Sequence, residues 1–154
     1  MQPAASVVRS ARSWLEGAPC RVSISAARLE RTGFESLLER LGQAWNRGDA
    51  RGAAACFAEH VDYADPLHYR FETRTELEVF FAPPPSGHHV MWHRLLFDAP
   101  AQTGMVEYTY VGHHRYHGAA IVEIDSHGRI SRWREWQHLD DVRDWDAYVQ
   151  GSAS

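Results

Sequence analysis

Apolar residues first fall into a rhythm at Phe34. Phe34, Leu37, Leu38, Leu41 and Trp45 recur at the i, i+3, i+4, i+7 spacing of one helix face, which predicts an amphipathic helix from about Gly33. Asn46-Arg47-Gly48-Asp49 ends it: Gly48 suits a left-handed C-cap, and Asp49 can cap the next element. That element reads as a second helix carrying Ala53, Ala54, Cys56 and Phe57. The period then changes. Val61-Asp62-Tyr63-Ala64-Asp65 alternates and is stopped by Pro66, the pattern of a short strand. Thr73 to Phe81 returns to helical spacing, with Leu77, Phe80 and Phe81 on one side. It opens on a Thr73–Glu76 capping box and closes at Pro83, Pro84 and Pro85.

Four extended segments follow: Val90 to Phe97, Met105 to His113, Tyr116 to Ile124 and Arg129 to Leu139. Asp125-Ser126-His127-Gly128 is a turn signal between the last two. Asp140 to Val149 reads as a short closing helix anchored by Trp145 and Tyr148. Helices followed by a meander of long strands is an α+β pattern with an antiparallel sheet. Residues 1–32 are rich in Ala, Ser and Arg without a sustained period. They read as a flexible N-terminal extension to a domain over 33–150, with a tail at 151–154. The extension lacks the apolar stretch of a secretory signal; a disordered leader, a transit peptide and an early start codon stay open as its explanation.

Composition narrows the chemistry. At 154 residues the chain suits one domain. Its 16 basic side chains are all arginine. Without lysine there is no Schiff-base or pyridoxal phosphate chemistry and no P-loop. A net charge of −4 argues against a nucleic-acid partner. No apolar run approaches the length of a membrane span. Cys20 and Cys56 make no disulfide framework, so a reducing cytoplasm is the simpler setting. The 10 histidines raise the question of a metal. His89 and His93 are four apart, as are His113 and His117, but on strands that spacing spans roughly 13 Å, too far for one ion. Neither a metal nor another cofactor is expected. The histidines should instead carry the charge from −4 toward positive values as pH falls.

Three strings give the pattern a family likeness: Ala-Trp-Asn-Arg-Gly-Asp at 44–49, Tyr-Ala-Asp-Pro at 63–66, and His-Gly-Arg-Ile followed by Trp-Arg-Glu-Trp within 127–136. In their order and spacing, over about residues 33–149, the chain resembles the SnoaL-like proteins of the nuclear transport factor 2-like superfamily. The resemblance implies a cone-shaped α+β barrel. N-terminal helices would pack in the concave face of a curved, mainly antiparallel sheet and enclose a pocket. The superfamily holds isomerases, dehydratases, epoxide hydrolases, polyketide cyclases and non-catalytic binders, so the likeness speaks to fold more than to function.

Strand alternation sorts the side chains by face, and the resemblance says which face is inward. The inner set is Tyr63, Asp65, Tyr108, Tyr110, Trp133, Glu135 and Gln137, with Trp45 on the first helix and His68 at the mouth. Asp65 falls where the family's ketosteroid isomerases carry their proton-shuttling base. Tyr63 and Asp65 also fall where its epoxide hydrolases hold a water, and Glu135 matches their second carboxylate. Two carboxylates among aromatic rings should have separated pKa values, one raised by burial. The departures count as well. Leu41 and Ala120 stand where the isomerases place oxyanion donors, and Tyr110 and Gly112 stand where the epoxide hydrolases need an arginine and an aspartate. Structural alternatives remain: Asp65 as the cap of the turn at Pro66, Glu135 paired with Arg94 or Arg115, His68 as a solvated loop residue, and the aromatics as core.

Two functions are therefore expected from this pattern. One is a cofactor-free isomerase, dehydratase, hydratase or cyclase acting on a small hydrophobic or aromatic molecule. Asp65 would be the principal base, Glu135 its partner, and Tyr63, Tyr108 or Tyr110 would position the substrate. The other is a non-catalytic ligand-binding or dimerisation module of the same fold. Glu107, Ile121, Glu123, Arg132, Arg134 and Trp136 share the outer sheet face, a mixture that suggests a homodimer through that surface.

Overall fold

The computed structural model describes residues 28–83 and 87–139. In chain order the elements are α1 (Arg31–Asn46), α2 (Ala50–Ala54), β1 (Phe57–Asp65), β2 (Tyr69–Thr73), α3 (Arg74–Phe80), β3 (His89–Asp98), β4 (Thr103–Val111), β5 (Arg115–Ile124) and β6 (Ile130–Leu139). Nearly all of the N-terminal extension, and the helix expected over Asp140 to Val149, lie outside the described residues.

The strands form one six-stranded mixed sheet in the order β2-β1-β6-β5-β4-β3. Among the described residues it does not close, and β2 and β3 are its edges. Neighbours are antiparallel except β1 and β6, which run parallel. β3 to β6 form the meander read from the sequence, each within two residues of its expected bounds. The parallel pairing brings an early strand against the last one and sets Tyr63 opposite Trp133.

The predicted face of α1 is the buried one: Phe34, Leu37, Leu38, Leu41 and Trp45 all turn into the core. The helix starts at Arg31, two residues ahead of Gly33. It ends where Gly48 takes a φ of +69°, which costs glycine little. Its C-terminal end is clasped to β3. The Asn46 side chain donates to the Val90 carbonyl at 3.0 Å and accepts the Val90 N–H at 2.7 Å. Two turns earlier, the indole of Trp92 donates to the Leu38 carbonyl at 2.9 Å.

The second helix is shorter than expected. Asp49 caps it, accepting the Gly52 N–H at 2.8 Å, but it stops at Ala54. Phe57 belongs to β1, paired with Ile130 of β6 and packed against Phe81 and Trp133. Burial of that ring between sheet and helix outweighs the helical spacing of the small residues before it. β1 is nine residues long rather than five. A register shift between Phe57 and Asp62 breaks the alternation, which is why only Val61 onward read as strand.

β2 was not anticipated. It follows the Pro66 turn directly and pairs back on β1, with Tyr69 opposite Asp65 and Phe71 opposite Tyr63. α3 begins with the expected capping box: Thr73 Oγ1 accepts the Glu76 N–H at 3.2 Å, and Glu76 Oε2 accepts the Thr73 N–H at 2.9 Å. The turn before β6 also forms as read. Asp125 Oδ1 accepts the N–H groups of His127 and Arg129 at 2.8 and 2.9 Å, and Gly128 has a φ of +73°.

On the outer face, Arg132 reaches Glu123 at 2.8 Å and Asp62 at 3.2 Å. Ile121 and Trp136 remain exposed there. Cys56 is a free, buried cysteine whose thiol pKa is pushed up by burial. No helix among the described residues is long and apolar enough to cross a membrane.

Candidate functional site

The site grows from the alternation of β6. Trp133, Glu135 and Gln137 share one face, turned toward α1 and α3, and Glu135 is only 2% exposed. A carboxylate taken so far from water needs partners, and Glu135 has four. Tyr63 donates to its Oε1 at 2.8 Å and Tyr69 donates to the same oxygen at 2.6 Å. Tyr108 donates to Oε2, and so does the Trp133 indole at 2.9 Å. Four donors match the acceptor capacity of an ionised carboxylate, and charge-assisted hydrogen bonds are the strong kind.

The topology explains why these four meet. Tyr63 arrives through the parallel β1–β6 pairing, Tyr69 from β2 beyond it, and Tyr108 from β4 on the other side. Opposite Glu135 on β5 stands Ala120, and opposite Tyr108 stands Gly118, so small residues leave room for the converging rings. A Cβ on Gly118 would come within 2.8 Å of the Tyr108 ring. Burial first, and then the charge of Glu135, hold the hydroxyls of Tyr63, Tyr69 and Tyr108 far above the ordinary tyrosine pKa. Gln137 completes the cluster, donating to the Tyr69 hydroxyl at 3.0 Å.

The cluster lines a cavity of about 280 Å³. Trp45, Phe80, Phe81 and Val90 supply apolar wall. His88, Tyr110 and Tyr116 form a second polar group. There the His88 Nδ1 lies 3.3 Å from the Tyr110 hydroxyl, while its Nε2 is buried without a hydrogen-bond partner. The volume sits at the low end of ligand pockets, which run from roughly 300 Å³ upward, so it suits a small organic molecule. The tyrosine hydroxyls aim their protons at Glu135; the Tyr69 oxygen accepts from Gln137 and keeps a second lone pair with which to accept from a ligand.

The site residues read from the sequence divide. Tyr63, Trp45, Tyr108, Tyr110, Glu135 and Gln137 come together around the cavity. Trp133 is wholly buried behind them, bonded to Glu135 and packed against Tyr63, Trp45 and Tyr108. Asp65 and His68 do not line it. Asp65 is buried but serves its turn: Oδ1 accepts the Leu67 N–H at 3.0 Å, and Oδ2 lies 3.0 Å from Nδ1 of His68. The His68 side chain is 65% exposed, outside the cavity. Glu135 is held by aromatic donors rather than by the cross-strand arginine pairing considered for Arg94 or Arg115.

Three polar lining residues were missed. Tyr69 lay in a segment too short to read as a strand, although Tyr69 and Phe71 alternate with Arg70 and Glu72. Tyr116 continues the inner parity of Ala120 and Val122 on β5. His88 precedes β3 and carried no periodic signal. Among the described residues, no group of three or more His, Cys, Asp or Glu is placed to hold a metal ion.

No family model matches the sequence, and no curated protein does. Solved structures do. A protein of unknown function with a cystatin-like fold from Methylobium petroleophilum PM1 superposes with a TM-score of 0.67 at 19% identity, over 83% of this chain and 95% of that one. A ketosteroid isomerase candidate from Kribbella flavida DSM 17836 gives 0.60 at 22% identity, over 73% and 82%. An NTF2-like protein of unknown function from Cytophaga hutchinsonii ATCC 33406 gives 0.58 at 11% identity, over 74% and 95%. An epoxide hydrolase/cyclase-like enzyme and an epoxide hydrolase share the architecture. At these identities the likeness is one of fold.

Proposed function

We propose that this protein, which has the nuclear transport factor 2-like fold, moves a proton on a small hydrophobic or aromatic substrate without a cofactor. One observation carries the reading: Glu135 is kept from water at the wall of a small cavity and joined to it by three tyrosine hydroxyls. Glu135 is the terminal proton acceptor. Tyr69, the least buried of the three tyrosines, links it to the substrate. The substrate's C–H or O–H proton passes to the Tyr69 oxygen as the Tyr69 proton passes to Oε1 of Glu135. The tyrosine is neutral before and after, the glutamate becomes a neutral acid, and the substrate keeps the electron pair. Return of the proton to another atom is an isomerisation; departure of a β-hydroxide with that electron pair is a dehydration. The raised tyrosine pKa values fit this division, because negative charge stays off the tyrosines. Asp65 serves the turn in this reading and is not the base. That an isomerase candidate and epoxide hydrolase-like enzymes share the fold supports it.

The test is α-proton exchange of acetophenone and 4-hydroxyacetophenone in D₂O, followed by proton NMR. The wild type should exceed the buffer rate, and Glu135→Gln should lower it by about 10²-fold or more. Exchange that persists in Glu135→Gln sinks the assignment. A second reading rests on the saturation of Glu135 by four donors, which also suits a rigid network shaping a non-catalytic binding pocket. In that case ligands bind and no exchange is seen. We also propose that the outer sheet face around Ile121 and Trp136 joins two copies of the chain; a monomer in analytical ultracentrifugation removes that assignment.

A further inference from the structure

We infer that the substrate has two ring units joined by a short chain, and that its second ring lies in an aromatic vestibule outside the cavity. The inference rests on the proposed function for the placement of the first ring and adds the part of the substrate that Glu135 never touches. It starts from size. The cavity of about 280 Å³ holds one ring with a short substituent. Beside it lies a more open groove of about 460 Å³, lined by Phe80, Ala82, Tyr110, His113, His114 and Tyr116. Phe80, Tyr110 and Tyr116 belong to both walls, so the two spaces adjoin along these three rings. Together they fall well inside the range of ligand pockets, roughly 300–1,000 Å³.

The strand register builds the groove. Tyr110 and Tyr116 are cross-strand partners on β4 and β5, and they continue the inner parity of Tyr108 and Gly118 toward the turn. Their ring centroids are 6.5 Å apart. Gly112, His113 and His114 make the turn itself, closed by the Gly112 N–H on the His114 carbonyl at 2.9 Å. A Cβ on Gly112 would stand 3.0 Å from the Tyr110 ring, so glycine lets that ring lie against the turn. The His114 ring meets Tyr116 at nearly a right angle, with 6.3 Å between centroids. The other wall comes from the end of α3, where Phe80 packs on Tyr69 and Phe71 yet stays 41% exposed.

The chemistry of the lining selects the occupant. Among the described residues that line the groove, five of six carry a flat π ring, and none is an acid or an arginine. A cationic arm would find no carboxylate there, and an anionic arm no arginine. A second aromatic ring finds faces and edges to pair with, at the roughly 4.5–7 Å centroid spacing such pairs prefer. Covering exposed Phe80 is favourable as well. The link between the rings must be short, because Tyr69 touches both ends of the path. Its hydroxyl donates to Glu135, and its ring centroid lies 5.0 Å from that of Phe80. A substrate atom at the Tyr69 hydroxyl is therefore only a few bonds from the groove.

The test compares three ketones that share one head, by isothermal titration calorimetry on the full chain. 4-Hydroxyacetophenone has no arm. 4′-Hydroxydihydrochalcone carries a second ring through a two-carbon link. 4-Hydroxynonanophenone carries an alkyl arm with the same number of carbons. The wild type should bind the dihydrochalcone about tenfold more tightly than 4-hydroxyacetophenone, the worth of one partly covered ring and its aromatic pairing. The alkyl arm should gain less, although it is the more hydrophobic. In a His113→Ala, His114→Ala double variant, the ratio of dihydrochalcone to 4-hydroxyacetophenone affinity should fall toward about twofold. Isotope-filtered NMR should show contacts from the terminal ring of the ligand to the rings of Tyr116 and His114. A wild-type ratio near one, an alkyl arm that gains as much or more, an unchanged ratio in the double variant, or absence of those contacts overturns the vestibule. The proposed function stands without it if exchange of 4-hydroxyacetophenone protons still depends on Glu135. A tenfold ratio without exchange keeps a two-ring ligand site and overturns the proton transfer. A chain that binds none of the three overturns both.

Discussion

Trp133 and Glu135 stand two residues apart on β6, and the indole N–H of the first donates to Oε2 of the second at 2.9 Å. Among the described residues, the largest wholly buried side chain of the core is therefore a direct partner of the buried carboxylate. Core and site are one structure, since the same inward parity of β6 places both. Trp133 also packs on Tyr63 with ring centroids 6.0 Å apart, so a second donor to Glu135 is braced by the first. Change at Glu135 should accordingly register as stability as well as function.

Glu135→Leu removes the acceptor from four donors at once. Cavity-facing hydroxyls can turn to water, but the Trp133 N–H is wholly buried and cannot. An unmade buried donor costs about 1–3 kcal/mol. Loss of about 2–4 kcal/mol is expected in urea unfolding, with Glu135→Gln milder because its amide oxygen keeps one acceptor. A Glu135→Leu protein as stable as the wild type would mean that the network carries no folding energy.

The raised tyrosine pKa values predict alkaline sensitivity. A tyrosine whose folded-state pKa lies above its unfolded value binds its proton more tightly when folded. Its contribution to stability is intact below about pH 10, the ordinary tyrosine value, and is lost as pH climbs above it toward the folded values. The denaturation midpoint should hold up to about pH 10 and fall beyond it. Tyr108→Phe should make the decline shallower. A midpoint independent of pH over that range would show that these hydroxyls ionise as freely as in water.

Much of the architecture was legible, and where it was not the reason is physical. The face of α1, the capping box of α3 and the meander β3 to β6 rest on long periods and on local caps, both written within a few residues. Phe57 was misread because its strand role depends on Ile130 and Trp133, more than 70 residues away, and a register shift hides the alternation. Tyr69 was missed because five residues of edge strand carry too little period. The tyrosine faces and Glu135 were legible by parity. That Glu135 rather than Asp65 faces the cavity was not, since it depends on how the Pro66 turn uses the Asp65 oxygens. His88 carried no pattern at all; a loop residue shows its surroundings only once the fold exists.

The turn role of Asp65 separates it from Glu135 in a simple experiment. Asp65→Asn keeps an acceptor for the Leu67 N–H and should unfold within about 1 kcal/mol of the wild type, with ligand affinity and proton exchange unchanged. Asp65→Ala loses that acceptor and should cost about 1 kcal/mol more, again without effect on the pocket. Exchange abolished in Asp65→Asn while the fold survives would return the base to Asp65.

Gly118 tests whether the tyrosine network depends on space cleared by the neighbouring strand. It pairs with Tyr108 on β4 and Gln137 on β6, between two residues of the site. A Cβ there would lie 2.8 Å from the Tyr108 ring and 2.9 Å from the Trp136 carbonyl oxygen. The carbonyl belongs to the sheet backbone and cannot yield, so Tyr108 must move and its hydroxyl leaves Oε2 of Glu135. Overpacking of this kind costs about 1–3 kcal/mol. Gly118→Ala should therefore lower the urea midpoint and weaken binding of 4-hydroxyacetophenone together. Combining it with Tyr108→Phe should be less than additive, because both remove the same hydrogen bond. Additive effects would mean that Gly118 serves only the sheet and that the position of Tyr108 is set elsewhere.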